Sequence, residues 1–361
     1  MAGDGKESVV EMEGKETMKA LSLYGVNDLR LVDMPRPEPG DGEVLLKIKA
    51  CGICGSDIPR VFTKGTYHFP TVIGHEFAGE IIEAEDKSII GRGASVFPLL
   101  PCGTCDACHS GHYAQCSHYD YYGSRRDGGM AEYLAVKREN VVLMPEGVSY
   151  EAAAMSEPAS VALHAFKKAE LGRDDTIVIF GVGPIGLIAA NWAREAGAAH
   201  IIMVARSQAK KEFAERLGFV DTVDSNETDV SDFVRRRTRG NGADAAIEGT
   251  GTSECLEQAL FCVRNFGRVV TMGNPLGDMQ LSQQGYWQIL RKELRLCGTW
   301  NSSFSSSEND WLEVMDAMKS HAVDLEALIS HRFKLRDYEQ AFRLMHEKLE
   351  PYCKVMFVMD D

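Results

Sequence analysis

Hydrophobic and polar residues alternate in short runs from Met18 to about Pro145. MKALSLYG, LRLVDM, EVLLKIKA, IGHEFAGEIIEA, GASVFPL and AEYLAVK each read as a strand, because alternate side chains point to opposite faces. Pro/Gly clusters such as PRPEPGDG separate them as turns. From about residue 160 the pattern changes. TIVIF is a continuous apolar run, as expected of a strand buried on both faces. PIGLIAANWAREAG follows as a helix, with Pro184 near its start and Gly197 past its end. HIIMVA, a helix beginning after Ser207, VDTV, a helix near 228–239, ADAAIEGTG, the helix SECLEQALFCV, GRVVTMG and LRLCGTW continue the alternation. Such alternation implies a doubly wound parallel sheet. Two amphipathic helices, around 308–320 and 336–348, precede a closing strand, CKVMFVM, which fits best back in the first sheet. The expected fold class is therefore α/β: a mainly-β domain at 18–158, a nucleotide-binding domain at 159–302, and a return to the first domain at 303–361. Residues 1–17 read as a flexible extension.

Composition narrows the function classes. The chain has 361 residues, 44% hydrophobic and 25% charged, with a net charge of −14. That balance suits an ordinary globular protein and argues against nucleic acid or an anionic membrane as a partner. The uncharged run Thr176 to Ala193 reaches membrane-spanning length, but GVGPIG at its centre reads as a turn between strand and helix. Ten cysteines, with no apolar leader at the N-terminus, point to a reducing cytoplasm and to metal binding rather than disulfides.

Two cysteine regions carry chemistry. Cys51 to Glu76 offers a thiolate at Cys54 and, about twenty residues on, an imidazole and a carboxylate at His75 and Glu76. These ligand types suit a catalytic zinc with an open position. Cys51 and Cys54 also form a CxxC pair, so a redox couple or inert core thiols compete with that reading. Ser56 suits a hydroxyl proton relay as well as it suits a turn hydrogen bond. Further on, Cys102, Cys105, Cys108 and Cys116 have the spacing to close a tetrahedral structural zinc, leaving His109 and His112 surplus and exposed.

Gly181-Val182-Gly183-Pro184-Ile185-Gly186 follows a strand and opens a helix, the context a dinucleotide fingerprint requires. At the end of the second strand an NAD site wants a carboxylate. This chain has Ala205-Arg206-Ser207 there, with Lys210 one turn on, which favours NADP(H) over NAD. Arg60, Arg125 and Arg126 form a candidate cluster for a substrate phosphate.

CGICGSD, GHE, the four-cysteine lobe, SEPASVALHA and GVGPIG occur in this order, and the set resembles the zinc-dependent medium-chain dehydrogenase/reductase superfamily, sorbitol dehydrogenase branch. The resemblance implies a GroES-like catalytic domain and a Rossmann domain, two zinc ions per chain and a homodimer or homotetramer. It also implies oxidation of a polyol or polyol-phosphate hydroxyl to a ketone. Cys54, His75 and Glu76 match the family's catalytic ligands, and Glu157 matches a carboxylate that touches the zinc or its water. The four lobe cysteines match the structural site. Where sorbitol dehydrogenases often place Tyr this chain has Arg60, and Asn301 stands where Arg is frequent, so both are candidate substrate contacts.

Overall fold

The computed structural model describes residues 16–275 and 277–360; most of the expected N-terminal extension, residues 1–15, lies outside them. Two bodies of secondary structure share a cleft. The first is built on a sheet in the order Val141–Leu143, Gly93–Val96, Glu76–Glu83, Glu43–Ile53, Lys354–Val358, Ile329–Phe333, with Tyr133–Lys137 also paired to Glu43–Ile53. A smaller sheet joins Asp28–Pro35, Thr17–Gly25 and Thr71–Val72. The closing strand pairs antiparallel with Glu43–Ile53, setting Val355 opposite Ile53 and Met356 opposite Gly52.

The second body is a parallel sheet in the order Thr222–Asp224, His200–Ala205, Thr176–Phe180, Ala243–Glu248, Val263–Thr271, Arg295–Gly298. Every residue of Thr176–Phe180 is buried, as a strand covered by helices on both faces must be. The strand order reverses beside Thr176–Phe180, and in such sheets ligands bind outside the carboxyl ends of the strands at that point. No helix among the described residues is long and apolar enough to cross a membrane. The Thr176 to Ala193 run is divided between the strand and the helix Pro184–Glu195.

Several elements differ from expectation. GASVFPL is not one strand: pairing stops at Val96, and Leu99–Leu100 pairs instead with Asp120–Tyr121. Pro98 lies between them and has no N–H for a ladder. IGHEFAGEIIEA begins its strand only at Glu76, because the chain turns at Gly74, where φ is +98°. The helix Ser156–Lys168 is buried almost throughout, polar positions included. Ser156, Glu157, Ala159, Ser160, Ala162, Leu163, His164 and Ala165 are all buried. Pro158 is tolerated in its first turn, where backbone N–H groups have no intrahelical partner. The helix Gln283–Arg291 and the strand Ile329–Phe333 are further elements outside those expected from the sequence.

Helix Asp310–Lys319 is fastened to Ser156–Lys168 by one fully buried carboxylate. Asp310 bonds the Lys167 ammonium at 2.7 Å and the Ser303 amide at 2.6 Å, and lies 3.1 Å from His164 Nδ1. Burial opposes its ionisation, but His164, Lys167 and the Ser303 amide together hold its pKa below the ordinary Asp value. A lowered carboxyl pKa stabilises the fold at every pH above the unfolded value, and the stabilisation disappears as the pH falls through the folded value. Asp310→Asn should therefore cost about 3 kcal/mol at neutral pH in urea unfolding, with the gap to the unsubstituted chain closing only under acid.

Candidate active site

Four chain segments converge where the two bodies meet. Cys54 follows the end of strand Glu43–Ile53, and His75 and Glu76 stand at the start of Glu76–Glu83, where Glu76 lies opposite Gly52. Glu157 comes from the first turn of helix Ser156–Lys168, and Lys354 opens the closing strand. One donor atom each from Cys54, His75 and Glu76 lies within 4.8 Å of the others. His75 and Glu76 are only 4% and 1% exposed, so this is a dry site where charge must be neutralised internally.

The surroundings are ordered by residues the sequence did not flag. Asp57 is fully buried; one carboxylate oxygen accepts from the Cys54 amide at 3.0 Å, and the other from Arg60 at 2.8 Å. The latter also stands 3.6 Å from His75 Nδ1, which has no hydrogen-bond partner. Burial alone would lower the His75 pKa, but Asp57, Cys54 and Glu157 outweigh it and carry it to about 10. Tyr121 donates to Glu157 at 3.1 Å and is hydrogen-bonded by the Asn301 side chain; burial, then Glu157, pushes its phenol pKa well up. Burial is likewise the main reason the Glu157 pKa is raised. Lys354, 3% exposed, donates to Glu76 at 2.5 Å. Burial pulls its pKa down, but Glu76 and Cys54 carry it above the usual value. Only Lys354 left a faint signal in the sequence, as the one charge in the apolar CKVMFV.

An imidazole with an orphaned nitrogen, a thiol and a carboxylate, crowded by further acidic groups, fit a divalent cation of zinc's preferences. The positive charge would relieve the same crowding that raises the His75 pKa. Glu157 is not within the tight three-residue group. Cys51 separates from Cys54. It is buried, its sulfur contacts its neighbour's carbonyl at 3.7 Å, and burial foremost raises its pKa well up, so it behaves as a core thiol. All ten cysteines are free thiols.

Cys102, Cys105, Cys108 and Cys116 bring their sulfurs within 4.8 Å of one another, as a closed four-thiolate site requires. His109 and His112 are exposed and outside that group.

A cleft of about 810 Å³ runs from Gly55, next to Cys54, past Gly181, Val182, Gly183 and Pro184 to Ala205, Arg206, Ser207 and Lys210. Gly183 caps the helix Pro184–Glu195, whose N-terminal amides face the cleft. Gly186 must lack a side chain, since a Cβ there would collide with the Gly181 carbonyl. Ser207 is the N-cap of helix Gln208–Arg216, accepting from the Lys210 amide. Arg206 is exposed, with only its carbonyl engaged, by Asn226. Lys210 instead spans the cleft to the Tyr352 carbonyl, and burial lowers its pKa.

The fold scatters the arginine cluster. Arg60 lies at the metal-ligand group, donating to Ser56 Oγ at 2.9 Å as well as to Asp57. Ser56 is thus engaged by Arg60 through its side chain and contacts Cys54 Sγ through its amide. Arg126 turns to Asp120 and to the buried Tyr122 ring. Arg125 lies between Tyr67 and Tyr119.

Comparison with known proteins agrees with this architecture. Residues 40–146 match the alcohol dehydrogenase GroES-like domain, and residues 184–320 match the zinc-binding dehydrogenase domain. Galactitol 1-phosphate 5-dehydrogenase of Escherichia coli K12 is 36% identical over 307 residues, covering 83% of this chain and 88% of the relative. A crystal structure of galactitol-1-phosphate dehydrogenase from Escherichia coli superposes with a TM-score of 0.88 at 33% identity, covering 94% of this chain and all of that one. A zinc-binding dehydrogenase from Sinorhizobium meliloti 1021, bound to NADP, gives a TM-score of 0.86 at 28% identity, covering 95% of this chain and all of the other.

The Glu76–Lys354 pair invites a direct test. Lys354→Met leaves a buried carboxylate without its counter-charge and should lower stability by about 3–5 kcal/mol, read by urea denaturation. Lys354→Arg, which keeps the charge, should recover most of the loss; equal losses would show that packing, not charge, is what matters there.

Proposed function

Because the chain belongs to the zinc-dependent alcohol dehydrogenases with a GroES-like and a Rossmann domain, we propose that it interconverts a polyol phosphate and the corresponding ketose phosphate. A hexitol phosphate such as galactitol 1-phosphate is the preferred substrate, and NADP(H) the preferred cofactor. The observation that carries this reading is the convergence of Cys54, His75 and Glu76 beside Gly55, at one end of the dinucleotide cleft.

Cys54 and His75 would hold the catalytic zinc, with Glu76 or Glu157 completing the set, and the lobe cysteines would hold a second, structural zinc. Zinc, when bound, makes an alcohol more acidic and a ketone more electrophilic. The chain's own residues orient and shield. The buried carboxylate of Asp57 braces the Cys54 amide and the Arg60 fork and faces the His75 ring, and Tyr121 with Asn301 fixes Glu157. Ser56 accepts from Arg60 through its hydroxyl oxygen and contacts Cys54 Sγ through its amide, and it stays exposed, as a relay to solvent requires. The glycine turn would let the cofactor's pyrophosphate approach the backbone, and the cofactor, when bound, would supply the hydride transfer.

Arg206 at the end of the second parallel strand supports NADP(H), since a guanidinium there complements a 2′-phosphate where a carboxylate would repel it. The galactitol 1-phosphate relative supports a phosphorylated substrate. Free thiols throughout suit a reducing compartment such as the cytoplasm. The exposed edge strand Arg295–Gly298, with Leu296 and Trp300 uncovered, supports a homo-oligomer.

Metal analysis should find about two zinc per chain, falling to about one in Cys54→Ser; an undiminished content in that variant would refute the catalytic ligand set. Turnover of galactitol 1-phosphate and galactitol with each cofactor tests the substrate, free polyol being the alternative. Arg206→Ala should raise KM for NADP+ about 10- to 100-fold and shift KM for NAD+ little. An unsubstituted chain that prefers NAD+ would overturn the cofactor assignment.

A further inference from the structure

Of the three arginines, Arg125 alone has a guanidinium met by aromatic rings and neutral oxygens rather than by a carboxylate. Arg60 pairs with Asp57 at 2.8 Å and Arg126 lies 3.6 Å from Asp120. The Arg125 guanidinium carbon lies 4.2 Å from the centre of the Tyr67 ring and 4.4 Å from that of Tyr119. One terminal nitrogen donates to the Tyr119 carbonyl at 3.2 Å and the other approaches the Tyr67 hydroxyl at 3.3 Å. Its own carbonyl is 3.0 Å from His68 Nε2, which pins the backbone as well. Two rings and two hydrogen bonds therefore hold the group, and it carries more N–H donors than these two bonds use.

An aromatic path leads from this guanidinium to the metal-ligand group. The Tyr119 ring lies 6.2 Å from that of Tyr121, and the Tyr121 ring 5.9 Å from His75. Tyr121 also bonds Glu157. Arg125 thus lies beyond the Tyr119 and Tyr121 rings from His75.

We propose that Arg125, clamped between Tyr67 and Tyr119, is the anchor for the substrate's phosphate and selects phosphorylated over free polyols. This rests on the dehydrogenase reading above and deepens it. A guanidinium edge matches two phosphate oxygens at once. Stacking fixes the fork before the substrate arrives, so little side-chain freedom is lost on binding. In a chain of net charge −14, a locally unneutralised guanidinium is what an anionic substrate requires.

The test compares kcat/KM for galactitol 1-phosphate with that for galactitol in the unsubstituted chain and in Arg125→Ala, Arg125→Lys and Arg126→Ala. Arg125→Ala should lower the ratio about 10- to 100-fold, mostly through KM. Arg125→Lys, which keeps the charge without the fork, should recover part of it. An unchanged ratio in Arg125→Ala, or an equal fall in Arg126→Ala, overturns the assignment. An unsubstituted chain that oxidises galactitol as readily as its phosphate overturns it too, while leaving the dehydrogenase reading intact. If no polyol is oxidised with either cofactor, the dehydrogenase reading fails, and binding of inorganic phosphate by calorimetry judges Arg125 alone. Binding lost in Arg125→Ala supports the anchor, and binding kept by the variant refutes it.

Discussion

The ion pair between Glu76 and Lys354 sits at the point on which the site depends. It is buried, it joins strands more than 270 positions apart in the chain, and it lies beside Cys54 and His75. An isolated carboxylate could not stay ionised in so dry a place. The ammonium that sustains it arrives on the last strand of the fold, so the site is complete only after the chain has passed through the nucleotide-binding body and returned. Strand Glu43–Ile53 makes this possible by pairing with Glu76–Glu83 on one side and Lys354–Val358 on the other.

Around that pair acidic groups crowd together: Asp57, Glu76 and Glu157, with the Cys54 sulfur, beside Lys354 and Arg60. Asp57, Cys54 and Glu157 raise the His75 pKa against the effect of burial. A divalent cation would supply positive charge there without a proton. The same crowding accounts for Arg60 bonding Asp57 and Ser56, whereas Arg125 lies against the Tyr67 and Tyr119 rings.

The two bodies divide the work according to their construction. The parallel sheet ends in a crevice whose lining, Gly181, Val182, Gly183 and Pro184 with the helix behind them, would let a dinucleotide approach the backbone closely. The mainly-β body supplies side chains from loops and strand ends, where direction matters more than period. Lys210 reaching Tyr352, and Lys354 lining the same cleft, show how closely the two are joined there.

Residues adjacent in the chain declared their chemistry without a fold. Cys54, the His75-Glu76 pair, the four lobe cysteines and the glycine turn were legible because ligand spacing and a strand–turn–helix context are local properties. The alternating runs and the apolar TIVIF were legible for the same reason, since one period reports one buried face. What lay beyond local pattern was decided by the tertiary structure. Asp57 and Tyr121 are ordinary polar residues until the fold buries them against His75 and Glu157, and in helix Ser156–Lys168 the fold buries Ser160 and His164 along with the apolar positions. Three arginines that look equivalent in the sequence differ only by what faces them: a carboxylate for Arg60 and Arg126, two tyrosine rings for Arg125. Charge partners, desolvation and stacking are long-range facts, set by which distant segments pack together, and so no reading along the chain contains them.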